Sequence, residues 1–147
     1  MGMYTELNLG VCFIEHAPKN FIDILKYMLD DSLPDPQLPD HPFFETERWS
    51  WMLRCDSFYF DGHTDSSLQY KDFIDTYYLN VRCNLKNYSN EIEHFLNFIQ
   101  PYLDTEGFLG YMRYEEDDDP TLIYNTEDGI KLFHANIDYY EIKGVSV

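Results

Sequence analysis

The sequence predicts an α+β fold in which two βαβ halves form one antiparallel sheet with both helices on one face. A repeated pattern supports this prediction: residues 4–30 align without a gap on residues 78–104, and the apolar or polar class agrees at 21 of 27 positions. In each copy an apolar period of two residues gives way to a helical period. We therefore expect a single domain over residues 1–147, with pseudo-repeat halves at about 1–74 and 75–147.

The first half begins with a strand and continues into an amphipathic helix. Apolar residues take every second position of the strand: Leu7, Leu9, Val11 and Phe13. The helix starts after Pro18, because proline is favoured in a first helical turn. Its apolar stripe recurs at the spacing of one helix face: Phe21, Ile24, Leu25 and Met28. The prolines within residues 33–42 end the helix.

The middle of the chain is less regular. We predict a strand over residues 50–60, because Trp49, Trp51, Leu53 and Cys55 alternate with other side chains. The Asp61 and Gly62 pair is typical of a tight turn, and residues 67–71 follow it as a short second strand. The sequence therefore predicts a hairpin between the two halves.

The second half repeats the order of the first. A strand over residues 77–85 precedes a helix, whose start is marked by Asn90 and Glu93 in the spacing of a capping box. The apolar stripe of this helix has four members: Ile92, Phe95, Leu96 and Ile99. Further strands are predicted at 107–115, 121–125 and 131–135.

Two arrangements fit these elements equally well. In the first, the two βαβ halves form a ferredoxin-like, four-stranded antiparallel sheet with two helices on one face, and each half adds an extra hairpin. In the second, all strands join one longer antiparallel sheet, again with both helices on one side. Both arrangements belong to the α+β class.

Charge limits the function of this chain more than any motif does. It carries 27 acidic and 10 basic residues, for a formal net charge of −17. Nucleic acid and anionic membranes are unsuitable partners, because both must be bound by lysine or arginine. Such acidity favours solubility or association with a basic protein partner. Three cysteines without CxxC spacing, and no visible signal peptide or membrane span, lead us to expect free thiols in the cytoplasm.

The sequence contains no motif for catalysis or for binding a metal or cofactor. Its five histidines are scattered, and none has the HExxH spacing of a zinc site. It has no GxSxG motif, and the glycines of residues 107–110 lack the spacing and the lysine of a phosphate loop. We expect a non-catalytic protein that needs no metal and no cofactor.

One group of residues nevertheless indicates a binding surface. If the odd-numbered side chains of the first predicted strand face the helices, outward-pointing residues of several strands share the helix-free face: Arg54, Arg82, Arg113, Tyr78 and Tyr111. These residues either form structural ion pairs with neighbouring carboxylates or bind a small anion through the planar guanidinium groups. The second interpretation predicts a ligand site lined by arginine and tyrosine.

The opening YTELNLGV (residues 4–11), with the length and acidity of the chain, resembles small uncharacterised proteins of bacteria and their phages. The resemblance implies an interaction protein and transfers no activity. Our leading hypothesis is an acidic binding or inhibitor protein, immunity-like or directed by a phage against its host, which meets a basic partner through Glu115, Glu116, Asp117, Asp118 and Asp119. The alternatives are a small anionic-ligand binding protein and a homo-oligomer whose sheet face a second copy covers.

Overall fold

The computed structural model describes residues 3–135 and 138–144, and within them it is an α+β protein. This confirms the predicted fold class. Six strands and two helices follow one another in the order β1 (Thr5–Cys12), α1 (Lys19–Leu29), β2 (Ser67–Lys71), β3 (Thr76–Leu85), α2 (Glu91–Ile99), β4 (Gly107–Tyr114), β5 (Thr121–Thr126) and β6 (Gly129–His134).

The strands form one antiparallel sheet in the order β2-β3-β1-β4-β5-β6. The central pair is β1 and β3, in which Leu9 lies opposite Val81. β2, which follows α1, pairs with β3, and β4, which follows α2, pairs with β1. The hairpin of β5 and β6 extends the sheet beyond β4.

Both helices cover the same face of the sheet, which we call the helix face. The odd-numbered residues of β1 are buried there, as their two-residue period predicts: Leu7, Leu9 and Val11. The helices also contact each other, since the rings of Phe21 and Phe98 lie 5.4 Å apart. The opposite side, which we call the loop face, carries the even-numbered residues of β1.

The predicted strand over residues 50–60 is wrong. One 3-10 turn, Met52–Arg54, and an irregular segment occupy these residues instead, and a second 3-10 turn, Pro42–Glu45, precedes them. The physical reason is burial, because Met52 and Leu53 are both fully buried, whereas neighbouring residues of a strand point to opposite faces. Aromatic packing holds the segment over the helices: the ring of Trp49 lies 4.9 Å from Phe44 and 6.0 Å from Phe43.

Helix α2 begins where we predicted, but the capping box does not form. Asn90 adopts a left-handed conformation with a φ of 55° and makes no side-chain cap. The side chain of Asn87 replaces it: its Oδ1 accepts a hydrogen bond from the Ile92 amide at 2.8 Å. Asn87 Nδ2 in turn donates to Glu93 at 2.8 Å. The side chain that caps the start of α2 therefore lies three residues before Asn90.

The predicted hairpin after residue 60 is also different. Residues 67–71 form β2 as expected, but β2 pairs with β3 and not with a strand over 50–60. The 12 residues between Arg54 and β2 form an irregular loop, residues 55–66. This 55–66 loop decides what the loop face presents to solvent.

Candidate functional site

The 55–66 loop is closed at its base. The hydroxyl of Thr64 donates a hydrogen bond to the carbonyl of Cys55 at 2.6 Å, which joins the two ends of the loop. The same carbonyl accepts from the amide of Asn84 at 3.2 Å, and the amide of Asp65 donates to the carbonyl of Arg82 at 2.8 Å. Compact surface loops with joined ends are Ω-loops, and they frequently carry function.

Strand pairing explains why the chain forms this loop. The pairing of β2 with β3 ends where Ser67 lies opposite Asn80, so the rest of β3 has no neighbouring strand on that side. Unpaired backbone groups of a strand need other partners. The two ends of the loop supply them at residues 82 and 84. The buried side chain of Asn84 also accepts a hydrogen bond from the hydroxyl of Ser57.

The loop then folds onto the loop face through Phe60 and Gly62. Phe60 is only 7% exposed, and the guanidinium of Arg113 lies 5.3 Å from the centre of its ring. Arg113 Nε also donates to a carboxylate oxygen of Glu6 at 3.0 Å. At Gly62 the contact is so close that an added Cβ would lie 2.1 Å from Nη2 of Arg82. Two of the predicted binding arginines therefore hold the loop in place.

Strand register places four of the five predicted ligand-binding residues on the loop face. Asn8 of β1 pairs with Arg82 on one side and with Tyr111 on the other, and Glu6 pairs with Arg113. Tyr78 lies further along the same face, opposite Cys12. Its ring centre is 4.3 Å from Lys71 Nζ, and its hydroxyl donates to the side chain of Gln69.

Arg54 lies elsewhere, so its predicted place on the loop face is wrong. It belongs to a 3-10 turn, to which the alternation of a strand does not apply. Its Nε donates to the carbonyl of Met28 at 3.0 Å, and its Nη2 lies 3.4 Å from Asp31. A cation in this place stabilises the last turn of α1, where carbonyl groups lack helical partners.

The predicted acidic surface lies at one end of the sheet, next to the loop. Glu115 extends the pairing of β4 with β1: its amide donates to the carbonyl of Tyr4 at 3.0 Å, and its carboxylate accepts from the Tyr4 amide at 2.6 Å. The other four members are exposed: Glu116, Asp117, Asp118 and Asp119. We call residues 115–119 the acidic tip.

A stack of three aromatic rings connects the acidic tip with the 55–66 loop. The ring of Tyr4 lies 5.5 Å from Tyr59, with 29° between the ring planes. Tyr59 in turn lies 5.5 Å from Phe58, with 21° between them. Phe58 ends the stack and is 93% exposed. No sequence pattern predicts this stack, because the alternation over residues 50–60 favours a strand there.

A small cavity beside Tyr4 contains two basic residues that the sequence did not indicate. Its volume is about 230 Å³, and its lining includes Tyr4, Arg48, Trp51 and Lys86. The side chain of Arg48 is held by Glu91, which is fully buried and lies 3.5 Å from Arg48 Nη1. Lys86 Nζ is 6.0 Å from the centre of the Tyr4 ring. Arg48 and Lys86 are far apart along the chain and lie close together only in the folded structure.

The thiols of Cys55 and Cys83 are poor nucleophiles. Burial raises the pKa of both groups, most strongly at Cys83. A thiol with a raised pKa stays protonated at neutral pH, and the thiolate is the reactive form. Neither side chain therefore has the electrostatic environment of a catalytic cysteine.

One group in the described part of the chain has the residue types of a metal site. Glu15, His16 and Asp75 are exposed, and one ligand atom from each lies within 4.8 Å of the others. His16 Nδ1 is 4.0 Å from a carboxylate oxygen of Asp75, which is a long and solvent-exposed ion pair. Exposed acidic groups of this kind are common without an ion, so we assign no metal function to them.

Comparison with known proteins does not identify a family. A scan against protein-family models and searches of curated proteins and of solved structures found no match to this chain. Among the residues that the structure describes, every helix is too short or too polar to cross a membrane.

Proposed function

We propose that this protein is a small, acidic, non-catalytic interaction or inhibitor protein that binds a basic protein partner. The observation that carries the proposal is the position of the acidic tip, which lies beside an exposed aromatic stack at one end of the sheet. Carboxylates steer a basic partner toward this end, and an aromatic surface there supplies apolar contact area. An immunity-like or phage-encoded, host-directed inhibitor works in this way.

The pairing of the basic residues supports the proposal. Several of the ten cations lie within 4.0 Å of a carboxylate of the same chain: Lys19 with Asp23, Arg48 with Glu91, Arg54 with Asp31, Arg113 with Glu6 and Lys131 with Asp128. Their charges are therefore largely compensated internally. The field that reaches a partner comes from the excess of carboxylates over cations, which gives the chain a formal net charge of −17.

Association kinetics test the proposal. The probe is a purified basic protein encoded beside the gene for this chain, and its association rate is measured at about 20 and 150 mM salt, where screening differs strongly. Neutralising Asp117 and Asp118 with asparagine is expected to slow association about 10-fold at low salt and much less at high salt.

A matched control changes the same number of charges at the other end of the sheet. Glu106→Gln with Glu127→Gln also removes two negative charges, from exposed residues far along β4 and β5 from the tip. The control should leave the rate nearly unchanged. An association rate that is independent of salt, or equal effects of the two double variants, contradicts the proposal.

A second candidate function is the binding of a small anionic ligand. The arginines of the loop face no longer favour it, since Arg113 is paired with Glu6 and Arg82 contacts the loop. The cavity beside Tyr4 supports it better, because Lys86 lines it together with the aromatic side chains of Tyr4 and Trp51. The same lining contains Asp56 and the Glu91-paired Arg48, so Lys86 is the cation that would bind the anion. Thermal shift in a panel of anionic metabolites tests this function: a stabilising compound should lose its effect with Lys86→Gln.

We also propose that the core of the fold is ferredoxin-like and arose by duplication of a βαβ unit. The strand order β2-β3-β1-β4 supports this interpretation, because the second strand of each half pairs with the first strand of the other. The β5–β6 hairpin is then an addition at one edge. The free thiols and the lack of a long apolar helix among the described residues are compatible with a cytoplasmic protein.

A further inference from the structure

We propose that the 55–66 loop is the element that docks on this partner, with Phe58 as an anchor that enters an apolar pocket within a basic protein surface. The inference rests on the proposed function and names the part of the chain that makes the central contact. Three features of the loop support it: the exposure of Phe58, the rigidity of its support and the charge around it.

Phe58 combines high exposure with a place at the end of an aromatic stack. Phe58 is 93% exposed, yet it stacks on Tyr59, which stacks on Tyr4. Tyr4 is fixed to the sheet by its backbone hydrogen bonds with Glu115. Aromatic side chains dominate the energetics of protein interfaces, so an exposed phenylalanine at this place is suited to act as an anchor.

The loop itself is fixed to the sheet on both sides of Phe58. Thr64 closes its base, Ser57 donates to Asn84, and Phe60 is buried against Arg113. The anchor is therefore presented by a scaffold that is set before the partner arrives. Such preorganisation strengthens binding without adding contacts.

The three aspartates of the loop fit a basic surface. Residues 55–66 contain Asp56, Asp61 and Asp65 and neither lysine nor arginine. The neighbouring arginines are paired or lie against the loop: Arg48 with Glu91, Arg113 with Glu6 and Arg82 against Gly62. Lys86 is the exception, with its Nζ 6.0 Å from the centre of the Tyr4 ring. The acidic tip adds further carboxylates beyond Tyr4. An apolar centre surrounded by charged groups is the usual arrangement of an interface, and here all the fixed charges of the loop have one sign. A partner with lysines or arginines around an apolar pocket complements this surface.

Phe73 provides a matched control within the same chain. It is 78% exposed in the turn between β2 and β3, so it resembles Phe58 in residue type and accessibility. Its described neighbour is cationic, since Lys71 Nζ lies 5.8 Å from the ring centre. Among the described residues, the ring of Phe73 does not stack on another aromatic ring. Replacing it removes the same apolar area without touching the loop.

The test measures binding of three fluorescent proteins to an array of purified bacterial proteins. The wild type, Phe58→Ala and Phe73→Ala are each applied at about 25 and 300 mM salt, a range over which exposed charges become strongly screened. We expect the wild type to bind basic proteins at low salt and to lose most of this binding at high salt. For those proteins Phe58→Ala should weaken affinity about 30-fold, the size of an interface hot spot, and Phe73→Ala less than about 3-fold.

Other outcomes separate the inference from the function on which it rests. Salt-sensitive binding to basic proteins that Phe58→Ala leaves unchanged overturns the docking role of the loop and leaves the proposed function standing. Binding only to neutral or acidic proteins, or no binding at all, overturns both. Both variants should keep the wild-type circular dichroism spectrum and Tm, because both rings are exposed.

Discussion

The two faces of the sheet are covered in different ways. The helix face is covered by two amphipathic helices and an aromatic 3-10 segment, and its contacts are apolar side chains such as Phe43 and Phe95. The loop face is covered at one end by an irregular loop. There the buried ring of Phe60 packs against the guanidinium of Arg113.

The two faces differ in the interactions that stabilise them. On the helix face, burial of apolar area supplies the stability, and many residues share it. On the loop face a few hydrogen bonds and the ring of Phe60 hold the 55–66 loop against the sheet. We therefore expect the helix face to decide whether the chain folds and the loop face to decide what the folded protein presents to a partner.

The largest effect is expected from the helix face. Phe95 is fully buried in α2, 5.5 Å from Phe43. Phe95→Ala should lower the free energy of unfolding by about 4 kcal/mol, because it removes a large apolar side chain and leaves a cavity. Urea unfolding followed by circular dichroism measures this. A loss below about 1 kcal/mol would show that α2 is not part of the stabilising core.

A smaller effect is expected from the buried ring of the loop face. Phe60→Ala should cost about 2 kcal/mol, less than a core phenylalanine, because one side of the ring faces a polar surface. The variant should also become sensitive to limited proteolysis within residues 55–66, since the loop loses its apolar contact. Phe58→Ala is the control: it truncates a neighbouring but exposed ring and should change neither property. Equal protease sensitivity of the two variants contradicts this description of the loop.

The smallest effect is expected at Gly62. A methyl group there collides with the guanidinium of Arg82, which lies at the end of a flexible side chain and is able to move. Gly62→Ala should therefore cost about 1 kcal/mol, at the low end for overpacking. Combining it with Arg82→Ala should remove most of that cost in a double-mutant cycle.

Gly10 on the same face supplies the control for this comparison. An added Cβ there meets only Asn80 Oδ1 at an ordinary 3.7 Å. Gly10→Ala is expected to be neutral or slightly stabilising, since alanine restricts the unfolded chain more than glycine does. If Gly62→Ala were equally harmless, the loop would not lie against Arg82 as described.

Sequence periodicity predicts the helix face well and the loop face only in part. The two-residue period of β1 and the helical period around Phe21 and Phe95 arise from burial, so they reveal which side chains enter the core. The two-residue period of a strand does not show which segment of the chain covers the loop face. The side chains of Arg82 and Arg113 were correctly placed on the helix-free face, but nothing local indicated that a loop would contact them.

The error over residues 50–60 has the same origin. An aromatic-rich segment with alternating residues has the composition of a strand, and here tertiary packing decided otherwise. A motif search also does not predict that Asn87 caps α2. The capping-box residues at Asn90 and Glu93 are present, but Asn90 makes no side-chain cap and Asn87 accepts the hydrogen bond instead. Local signals predict the kind and the position of most elements, and long-range contacts decide how these elements are covered.

Tyr4 has a consequence for how this protein matures. Its backbone and ring join residues that are far apart along the chain, Tyr59 and Glu115. Contacts between distant segments require large loops to close and therefore tend to form late in folding. Because β1 is synthesised long before β4, the contact between Tyr4 and Glu115 forms only after most of the described chain has been made.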